Sequence, residues 1–397
     1  MVVDFIPFPT SWPAIGIHLG SMDSEETSTT AAQAQLIRHL ADKSTFALLG
    51  IAPAKASPHT EHVNRWIEQG QHGQMHYLAN HLRKRLDPGQ FLPGARNVIV
   101  VADRHASNPP ARLPWKQVPH GRIARYAWGD DYHRMIKKRL HVLVDALRER
   151  WPDHEYRACV DTAPTLEREH AHRAGLGWIG KHTLLIHRDL GSWVLLGQIV
   201  TTLPIEHAAQ QGEIESDHCG SCTRCIDACP TNCIDPEGYR LDAQRCISYL
   251  TIEHRGKIDP AVHPLMGDWI AGCDVCQEVC PFNEGSPTRG GRDQSQVEGQ
   301  VRDAYQPRPP APAIELLEVM GWNADDRRRA FQGSALKRIK LDEFRRNAVI
   351  AAGNAVMEKE DQALRDRIEE LAKSPDEPDL VRATAQHTLE RLGGTEA

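Results

Sequence analysis

Nine of the ten cysteines of this 397-residue chain lie in one stretch, between Cys219 and Cys280. The stretch begins with CGSCTRCIDACP (219–230), whose spacing is C-x2-C-x2-C-x3-C-P, and it ends with CDVCQEVCP (273–281). Two-residue spacings wrap three thiolates around a small iron–sulfur cube, and a distant cysteine completes each set of four ligands. The pattern therefore predicts a ferredoxin-like module with two [4Fe–4S] clusters, in which the fourth cysteine of a run binds the other cluster.

Three other uses of these cysteines fit the sequence less well. A disulfide scaffold is typical of short secreted chains, whereas this chain is long and begins without a recognisable secretory signal. Structural zinc would explain isolated C-x-x-C pairs but not the compact run of four cysteines. Chemically idle thiols would not be concentrated in one stretch.

The composition predicts a cytoplasmic globular protein of two or three domains. Hydrophobic residues make up 40% of the chain, but no apolar run is long enough to span a bilayer, and we expect no contact with a membrane. A reducing cytosol would keep thiolates free for iron. The net charge of −6 excludes a general attraction to nucleic acid, so any such binding must come from a local basic patch.

Strands and helices alternate ahead of the cysteines, over 45–201, which predicts an α/β or α+β domain. An apolar strand within 91–104 suits an interior position in a sheet. Asp130 and Asp131 precede a long amphipathic helix, which they are predicted to cap. His133 in the first turn of that helix is predicted to have only a local polar role.

Glycines follow at 175, 177 and 180, beside Lys181. They would let the backbone approach a flat or phosphate-bearing ligand closely, although no known nucleotide-binding motif is present.

The chain divides into segments with different composition. We predict a mobile extension over 1–30, an α/β domain over 31–205, the cluster domain over 206–283, a linker over 284–312 and an all-helical domain over 313–397, which together make an α+β protein. Helical spacing in 341–355, 361–374 and 378–393, with a turn near Gly353, is typical of a HEAT-like solenoid. Eight arginines and lysines between 327 and 346 indicate either a solvated helix face or a surface for a phosphate backbone.

Several motifs, in a fixed order, resemble the epoxyqueuosine reductase family. They are VDTAPTLEREHAHRAGLGWIGKHTLLI (160–186), CGSCTRCIDACPTNCI (219–234), CISYLTIEHRG (246–256) and GCDVCQEVCPFN (272–283), and the resemblance extends over about 45–283 and 335–395. The family is cobalamin-dependent and related to reductive dehalogenases. It reduces the epoxide of epoxyqueuosine at the tRNA wobble position, the last step of queuosine biosynthesis.

The resemblance implies a nitroreductase-like cobalamin-binding domain, a two-cluster ferredoxin-like domain and a HEAT-like tRNA-binding domain. It also implies a monomer that receives electrons from a donor the sequence does not identify. One cluster would be bound by Cys219, Cys222, Cys225 and Cys280, and the other by Cys229, Cys246, Cys273 and Cys276. The residues facing cobalamin would be Asp161, Ser248, Cys273, Asp274 and Val275.

Asp161 matches the proton donor of the family, and Arg255 lies where the family contacts tRNA. A carboxyl group that donates a proton near neutral pH needs a raised pKa, which burial beside a flat apolar corrin would provide. The alternative for Asp161 is a cap for a helix over 164–174. Cys233 stands where the family has a small residue and is predicted to be a buried spare thiol, and Cys159 a thiol in the core of a strand.

Two other functions remain open from the sequence. One is a reductive dehalogenase-like enzyme acting on a small substrate. The other is an electron-transfer iron–sulfur protein with no substrate of its own.

Overall fold

The computed structural model describes residues 33–40, 45–106, 119–205, 214–283 and 301–393. The predicted extension over 1–30 and most of the predicted linker lie outside these ranges. The described strands are β1 (Leu48–Pro53), β2 (Asn97–Arg104), β3 (His120–Ile123), β4 (Tyr156–Cys159), β5 (Trp178–Ile179), β6 (Leu185–Ile186), β7 (Val194–Thr201), β8 (Trp269–Ala271) and β9 (Ala313–Glu315).

The described α-helices are α1 (33–40), α2 (Thr60–Glu68), α3 (His76–Asn80), α4 (Leu82–Leu86), α5 (Pro88–Phe91), α6 (Tyr132–Arg150), α7 (Glu167–Arg173), α8 (Arg224–Asp227), α9 (Ile247–Ile252), α10 (Val275–Glu278), α11 (Leu316–Met320), α12 (Ala324–Ala330), α13 (Leu341–Glu358), α14 (Gln362–Lys373) and α15 (Asp379–Gly393). Short 3-10 helices cover Arg125–Ala127, Ala243–Arg245, Pro260–Met266, Asp303–Tyr305 and Ala335–Arg338.

The central sheet has the strand order β1-β2-β7-β4, and all of its neighbours are antiparallel. Every residue of β2 and β7 is buried, which confirms the interior strand predicted within 91–104. Alternate residues of β2 enter two different cores, since successive side chains of a strand point to opposite faces. Ile99 belongs to the core that contains α6 residues such as Ile136, and Val100 to the core that contains Ala171 of α7.

Helix α6 lies directly on the sheet. Its N-terminus is capped by Asp131, whose side chain accepts a hydrogen bond from the backbone N–H of His133. Asp130, predicted to share this role, instead forms an ion pair with Arg308. A side chain at Gly197 of β7 would overlap Ile136 of α6, so the close approach of helix and sheet depends on this glycine.

A second sheet joins distant parts of the chain, in the order β8-β3-β9. Strand β3 pairs in parallel with β8 and antiparallel with β9. The segment over 313–397 is therefore not purely helical, contrary to the prediction. A three-residue strand is too short to give a periodic signal in the sequence.

The described end of the predicted linker is packed rather than free. Tyr305 is buried, and its hydroxyl donates a hydrogen bond of 2.8 Å to Asp103. The backbone N–H of Asp130 donates to the carbonyl of Ala304 at 2.7 Å. Tyr305, Ala304 and the ion pair of Arg308 with Asp130 therefore hold this polar, proline-rich segment against the central domain.

The C-terminal helices α13, α14 and α15 pack against one another. The turn predicted near Gly353 is wrong, because α13 continues through this residue to Glu358. Gly353 instead gives room for α15, since a side chain there would overlap Thr388. No described helix combines the length and the apolar character needed to cross a membrane.

Helix α13 also fastens the C-terminal helices to the cysteine-rich region. Arg346 is fully buried and donates a 2.8 Å hydrogen bond to the carbonyl of Leu250, and it also bonds the carbonyls of His254 and Gly256. Asn347 donates to the carbonyl of Thr251 at 2.9 Å. The two regions therefore share one polar, buried interface.

Candidate active site and iron–sulfur ligands

The first predicted ligand set borders a single cavity. Its members are Cys219, Cys222, Cys225 and Cys280. Helix α8 carries Cys225, and Cys280 follows α10, which packs against α8. Four thiols around one cavity fit the tetrathiolate ligation of a [4Fe–4S] cluster.

The second predicted ligand set also assembles from separate elements. It comprises Cys229, Cys246, Cys273 and Cys276. Burial raises the pKa of the Cys276 thiol well above its usual value, and the other three cysteines of the set, with Cys225 of the first set, raise it further. Thiols that influence one another in this way lie in one region, and Cys225 is among them because α10 packs against α8.

All ten cysteines are free thiols. Among the residues that the structure describes, no three His, Cys, Asp or Glu side chains converge tightly enough to hold a single metal ion. A [4Fe–4S] cube has a different requirement, because each of its four sulfur ligands binds its own iron.

Cys233 directly contacts the second ligand set. Its sulfur is buried and lies 3.4 Å from that of Cys229, and it also hydrogen-bonds Cys246. That it is not itself a ligand remains a prediction. Cys159 lies buried at the end of β4, where its thiol donates to the carbonyl of Arg157 at 3.4 Å, as expected of a core thiol.

Asp161 lies just beyond β4, and its carboxylate accepts two hydrogen bonds from the start of α6. The hydroxyl of Tyr132 donates to Oδ2 of Asp161 at 2.7 Å, and Nε2 of His133 lies 3.0 Å from the same oxygen. Nδ1 of His133 lies 2.8 Å from Oδ1 of Asp131. The imidazole therefore bridges two carboxylates.

The turn that carries Asp161 is held in an unusual backbone conformation. Its φ of 33° is in the left-handed region, which a non-glycine residue seldom adopts and which is often found at functional sites. Its N–H donates to Glu167 at 2.7 Å. The helix-cap alternative for Asp161 is wrong, because α7 follows Leu166 without any side-chain cap.

Asp161 and His133 influence each other's protonation. Burial would raise the pKa of Asp161, but nearby positive charge and the hydrogen bonds from His133 and Tyr132 lower it below its usual value. Burial would lower the pKa of His133, yet its bonds to Asp131 and Asp161 raise it. These directions favour an ionised carboxylate beside a protonated imidazole, and the raised pKa expected for Asp161 beside a bound corrin remains a prediction.

Neighbouring elements surround Asp161 with further polar groups. A cavity lined by Asp161, Tyr132 and Arg168 opens onto β7. Glu253, at the end of α9, forms an ion pair of 2.8 Å with Arg338. Glu253 and Arg338 are both close enough to Asp161 to interact with it electrostatically. Residues near β7, the end of α9 and the segment before α13 therefore all lie in the surroundings of this carboxylate.

The other predicted cofactor contacts lie on α9 and α10. Ser248 is half-buried in α9, and Val275 is half-buried at the start of α10. Asp274 is buried; its Oδ2 accepts the backbone N–H of Arg125 at 2.8 Å, whereas its Oδ1 has no hydrogen-bond partner among the described residues. Both Asp274 and Asp161 interact electrostatically with Tyr126, so they belong to one region.

Arg255, the predicted tRNA contact, lies at the interface with the C-terminal helices. Its guanidinium forms an ion pair with Glu343 of α13, and its side chain is 36% exposed. Half of the basic segment over 327–346 is likewise structural, since Arg345 and Arg346 are buried, Arg338 pairs with Glu253 and Arg327 bonds backbone carbonyls. Its exposed cations are Arg328, Arg329, Lys337 and Lys340.

Tyr132 and His133 were not predicted as site residues. Their sequence signal is weak, because a tyrosine and a histidine after a capping aspartate are common in the first turn of a helix. Only the fold brings them to Asp161, 28 residues further along the chain.

Comparisons with known proteins match two regions of the chain to family models. The family described as "4Fe-4S double cluster binding domain" matches residues 218–283, and the one described as "Epoxyqueuosine reductase QueG, DUF1730" matches residues 85–162. The epoxyqueuosine reductase of Pseudomonas aeruginosa is 37% identical over 327 residues, covering 82% of this chain and 86% of that protein. The chain belongs to the epoxyqueuosine reductase family.

Other members of the epoxyqueuosine reductase family extend the similarity. The Synechocystis protein is 40% identical over 311 residues, covering 76% of this chain and 98% of its own. A crystal structure of epoxyqueuosine reductase with an epoxyqueuosine-modified stem loop of tyrosine tRNA superposes with a TM-score of 0.76, at 26% identity and 91% coverage of both chains. The mixed helix-and-sheet fold and the double-cluster region are therefore those of this family.

Proposed function

We propose that this protein is an oxidoreductase that converts epoxyqueuosine in tRNA to queuosine. The observation that carries the proposal is the similarity to epoxyqueuosine reductases over most of both chains, together with an Asp161 carboxylate that is hydrogen-bonded to a proton-bearing imidazole. Conversion of the epoxide to an alkene consumes two electrons and two protons and releases the oxygen as water. The protein must therefore deliver both electrons and protons to one carbon–oxygen centre.

We assign the electron-carrying groups to two [4Fe–4S] clusters and a cobalamin. The two groups of four cysteines would hold the clusters, and the α+β domain would be the nitroreductase-like site for the corrin. Oδ1 of buried Asp274 has no partner in the described part of the chain, which supports the corrin assignment because this oxygen could accept a hydrogen bond from the amide groups on a corrin rim. When bound, the clusters supply electrons singly and the cobalt delivers them to the substrate.

The protons would come through Asp161. Its carboxylate would touch the substrate, and Nε2 of His133, whose pKa is raised, lies 3.0 Å from that carboxylate. Burial raises the pKa of Tyr132 well above its usual value, so its hydroxyl stays protonated and orients the same carboxylate oxygen. A proton passed from His133 to Asp161 would reach the leaving epoxide oxygen, and general acid catalysis of this kind accelerates a reaction by about 100-fold or more.

The tRNA would lie against the HEAT-like helices. Arg328, Arg329, Lys337 and Lys340 are exposed there in a chain with net charge −6, and they provide the local basic patch that a phosphate backbone needs. Arg255 is less exposed and already paired with Glu343, so it would contact RNA only at the edge of this patch.

The test is anaerobic conversion of epoxyqueuosine-containing tRNA with a strong chemical reductant, followed by mass spectrometry of the released nucleosides. We expect queuosine to form only with protein that contains about eight irons and one cobalt. Protein loaded with both metals that leaves the epoxide intact would contradict the proposal.

The same preparation distinguishes the other two functions. A dehalogenase-like enzyme would act on a free halogenated compound, and its activity would not change when the four exposed cations over 328–340 are neutralised. An electron-transfer protein would contain iron but would not retain cobalamin.

A further inference from the structure

The segment from Trp178 to Ile186, which contains Gly180 and Lys181, makes contacts that the proposed reaction does not use. It forms the β5–β6 hairpin of the central domain, yet it is bonded to the loop of the first cysteine set. The Lys181 amine donates to the carbonyls of Gly220 and Cys222 at 2.7 and 3.1 Å. The hairpin thus lies on the first ligand set rather than around a phosphate group.

Two N–H groups of this hairpin lie beside Cys219. Trp178 is fully buried, its ring packs in one cluster with Cys219, and its indole nitrogen has no hydrogen-bond partner within the described part of the chain. The indole and the backbone N–H of Lys181 both act to lower the pKa of the Cys219 thiol, which burial raises. The Trp178 ring also packs against Cys280 and, at 4.7 Å between centroids, against Phe282.

A third N–H group belongs to His182. Its Nδ1 accepts the backbone N–H of Leu184 at 3.2 Å, so the ring proton is on Nε2. That nitrogen has no hydrogen-bond partner among the residues that the structure describes, although the side chain is only 3% exposed. The ring lines the cavity bordered by the four cysteines of the first set. A buried donor without an acceptor is costly unless a bound group accepts its hydrogen bond.

We propose that this hairpin sets the reduction potential of the cluster bound by Cys219, Cys222, Cys225 and Cys280. Trp178, His182 and the backbone of Lys181 donate hydrogen bonds to the cluster or its sulfur ligands. Such donors stabilise the reduced cluster, which carries one more negative charge, and therefore raise its potential. The inference depends on the cluster assignment within the proposed function and not on the substrate.

The experiment is potentiometric titration of the full-length, iron-loaded protein, followed by electron paramagnetic resonance without tRNA. Trp178→Phe keeps an aromatic ring but removes the indole N–H donor. His182→Leu removes the imidazole N–H donor. In each variant we expect the reduction equilibrium of one cluster to shift about tenfold toward the oxidised form, or about 59 mV for a one-electron couple, while the other cluster is unchanged. His182→Gln, which retains an N–H group, should stay closer to the unmodified protein.

Unchanged midpoints in both variants at full iron content would overturn the proposal, and so would equal shifts of both clusters. If a variant loses iron, a second experiment that uses only the unmodified protein still tests the proposal. Tryptophan labelled with 15N in the indole should show a nitrogen coupling to the reduced cluster in electron–nuclear double resonance, and its absence would also overturn the proposal. These readouts are independent of epoxide reduction, so failure of the tRNA assay alone leaves them intact.

Discussion

Nε2 of His133 lies 3.0 Å from Oδ2 of Asp161, and the pKa values of the two groups are displaced in opposite directions. The imidazole is stabilised in its protonated form and the carboxylate in its ionised form. The pair therefore favours a proton on the imidazole over one on the carboxylate, and the imidazole also contacts Asp131 at the start of α6. Its two members are the first targets for experiment.

Replacing Asp161 with asparagine should stop proton delivery while preserving the shape of the site. We expect the rate of queuosine formation to fall by about 100-fold or more, because a general acid typically contributes that much. Iron and cobalt contents should not change. Asp153→Asn, which makes the same substitution at an exposed position, serves as the control and should convert tRNA at the normal rate.

His133→Asn should alter the pH profile more than the binding of tRNA. The raised pKa of His133 extends its protonated form toward higher pH, so activity and the stability contributed by the ion pair should persist below that pKa and decline as pH rises through it. The depressed pKa of Asp161 preserves the pair toward acid pH. In the variant, we expect low single-turnover rates at every pH in the range where histidine titrates. These rates should not fall further as the pH rises. A decline that persisted unchanged would assign it to another group.

Removing the Arg346 side chain should weaken the interface between the cysteine-rich region and the C-terminal helices. Arg346→Leu leaves the buried carbonyl of Leu250 without its donor, and each such loss costs about 1–3 kcal/mol. Denaturant titration of the unloaded protein measures this change in the free energy of unfolding. The exposed Arg328 provides the comparison, and its replacement by leucine should change stability by no more than about 0.5 kcal/mol.

Neutralising Arg328, Arg329, Lys337 and Lys340 with glutamine should weaken tRNA binding at low salt. Each lost phosphate contact should reduce the slope of log affinity against log salt by about 0.7 to 0.9, which filter binding at several salt concentrations can measure. Arg148→Gln removes an exposed cation from α6 and should leave the slope unchanged. Equal slopes for the fourfold variant and the unmodified protein would exclude this surface.

Cys233→Ala tests whether the fifth thiol beside the second ligand set binds iron. If Cys233 is not a ligand, its replacement should leave about eight irons in the protein. Cys229→Ala should remove about four. Iron analysis after anaerobic reconstitution measures both. Loss of iron from Cys233→Ala equal to that from Cys229→Ala would make Cys233 a ligand.

Local patterns were the ones that the sequence could predict. The cysteine spacing, the all-buried strand β2 and the capped helix α6 each depend on residues that are neighbours in the chain, and the structure has β2 and α6 where they were expected. The bridge from His133 to Asp161 depends instead on two elements meeting across the fold. The packing of Tyr305 and the continuation of α13 through Gly353 also depend on contacts between distant parts of the chain. At both places these tertiary contacts override the preference of the local sequence.

The segment with glycines at 175, 177 and 180 and with Lys181 shows that residue types alone do not reveal which group a side chain contacts. Glycines beside a lysine are typical of phosphate sites. Here the lysine amine bonds two carbonyls of the cysteine loop, and that destination depends on where the β5–β6 hairpin packs.

The small β8-β3-β9 sheet has a consequence for how the chain acquires its structure. Strand β3 is the middle strand, and both of its partners are synthesised more than a hundred residues later. Until they arrive, both edges of β3 have unpaired backbone groups, and closing loops of this length is entropically expensive. We therefore expect docking of the C-terminal helices to be a late and slow event in folding, completed only after translation has passed Glu315.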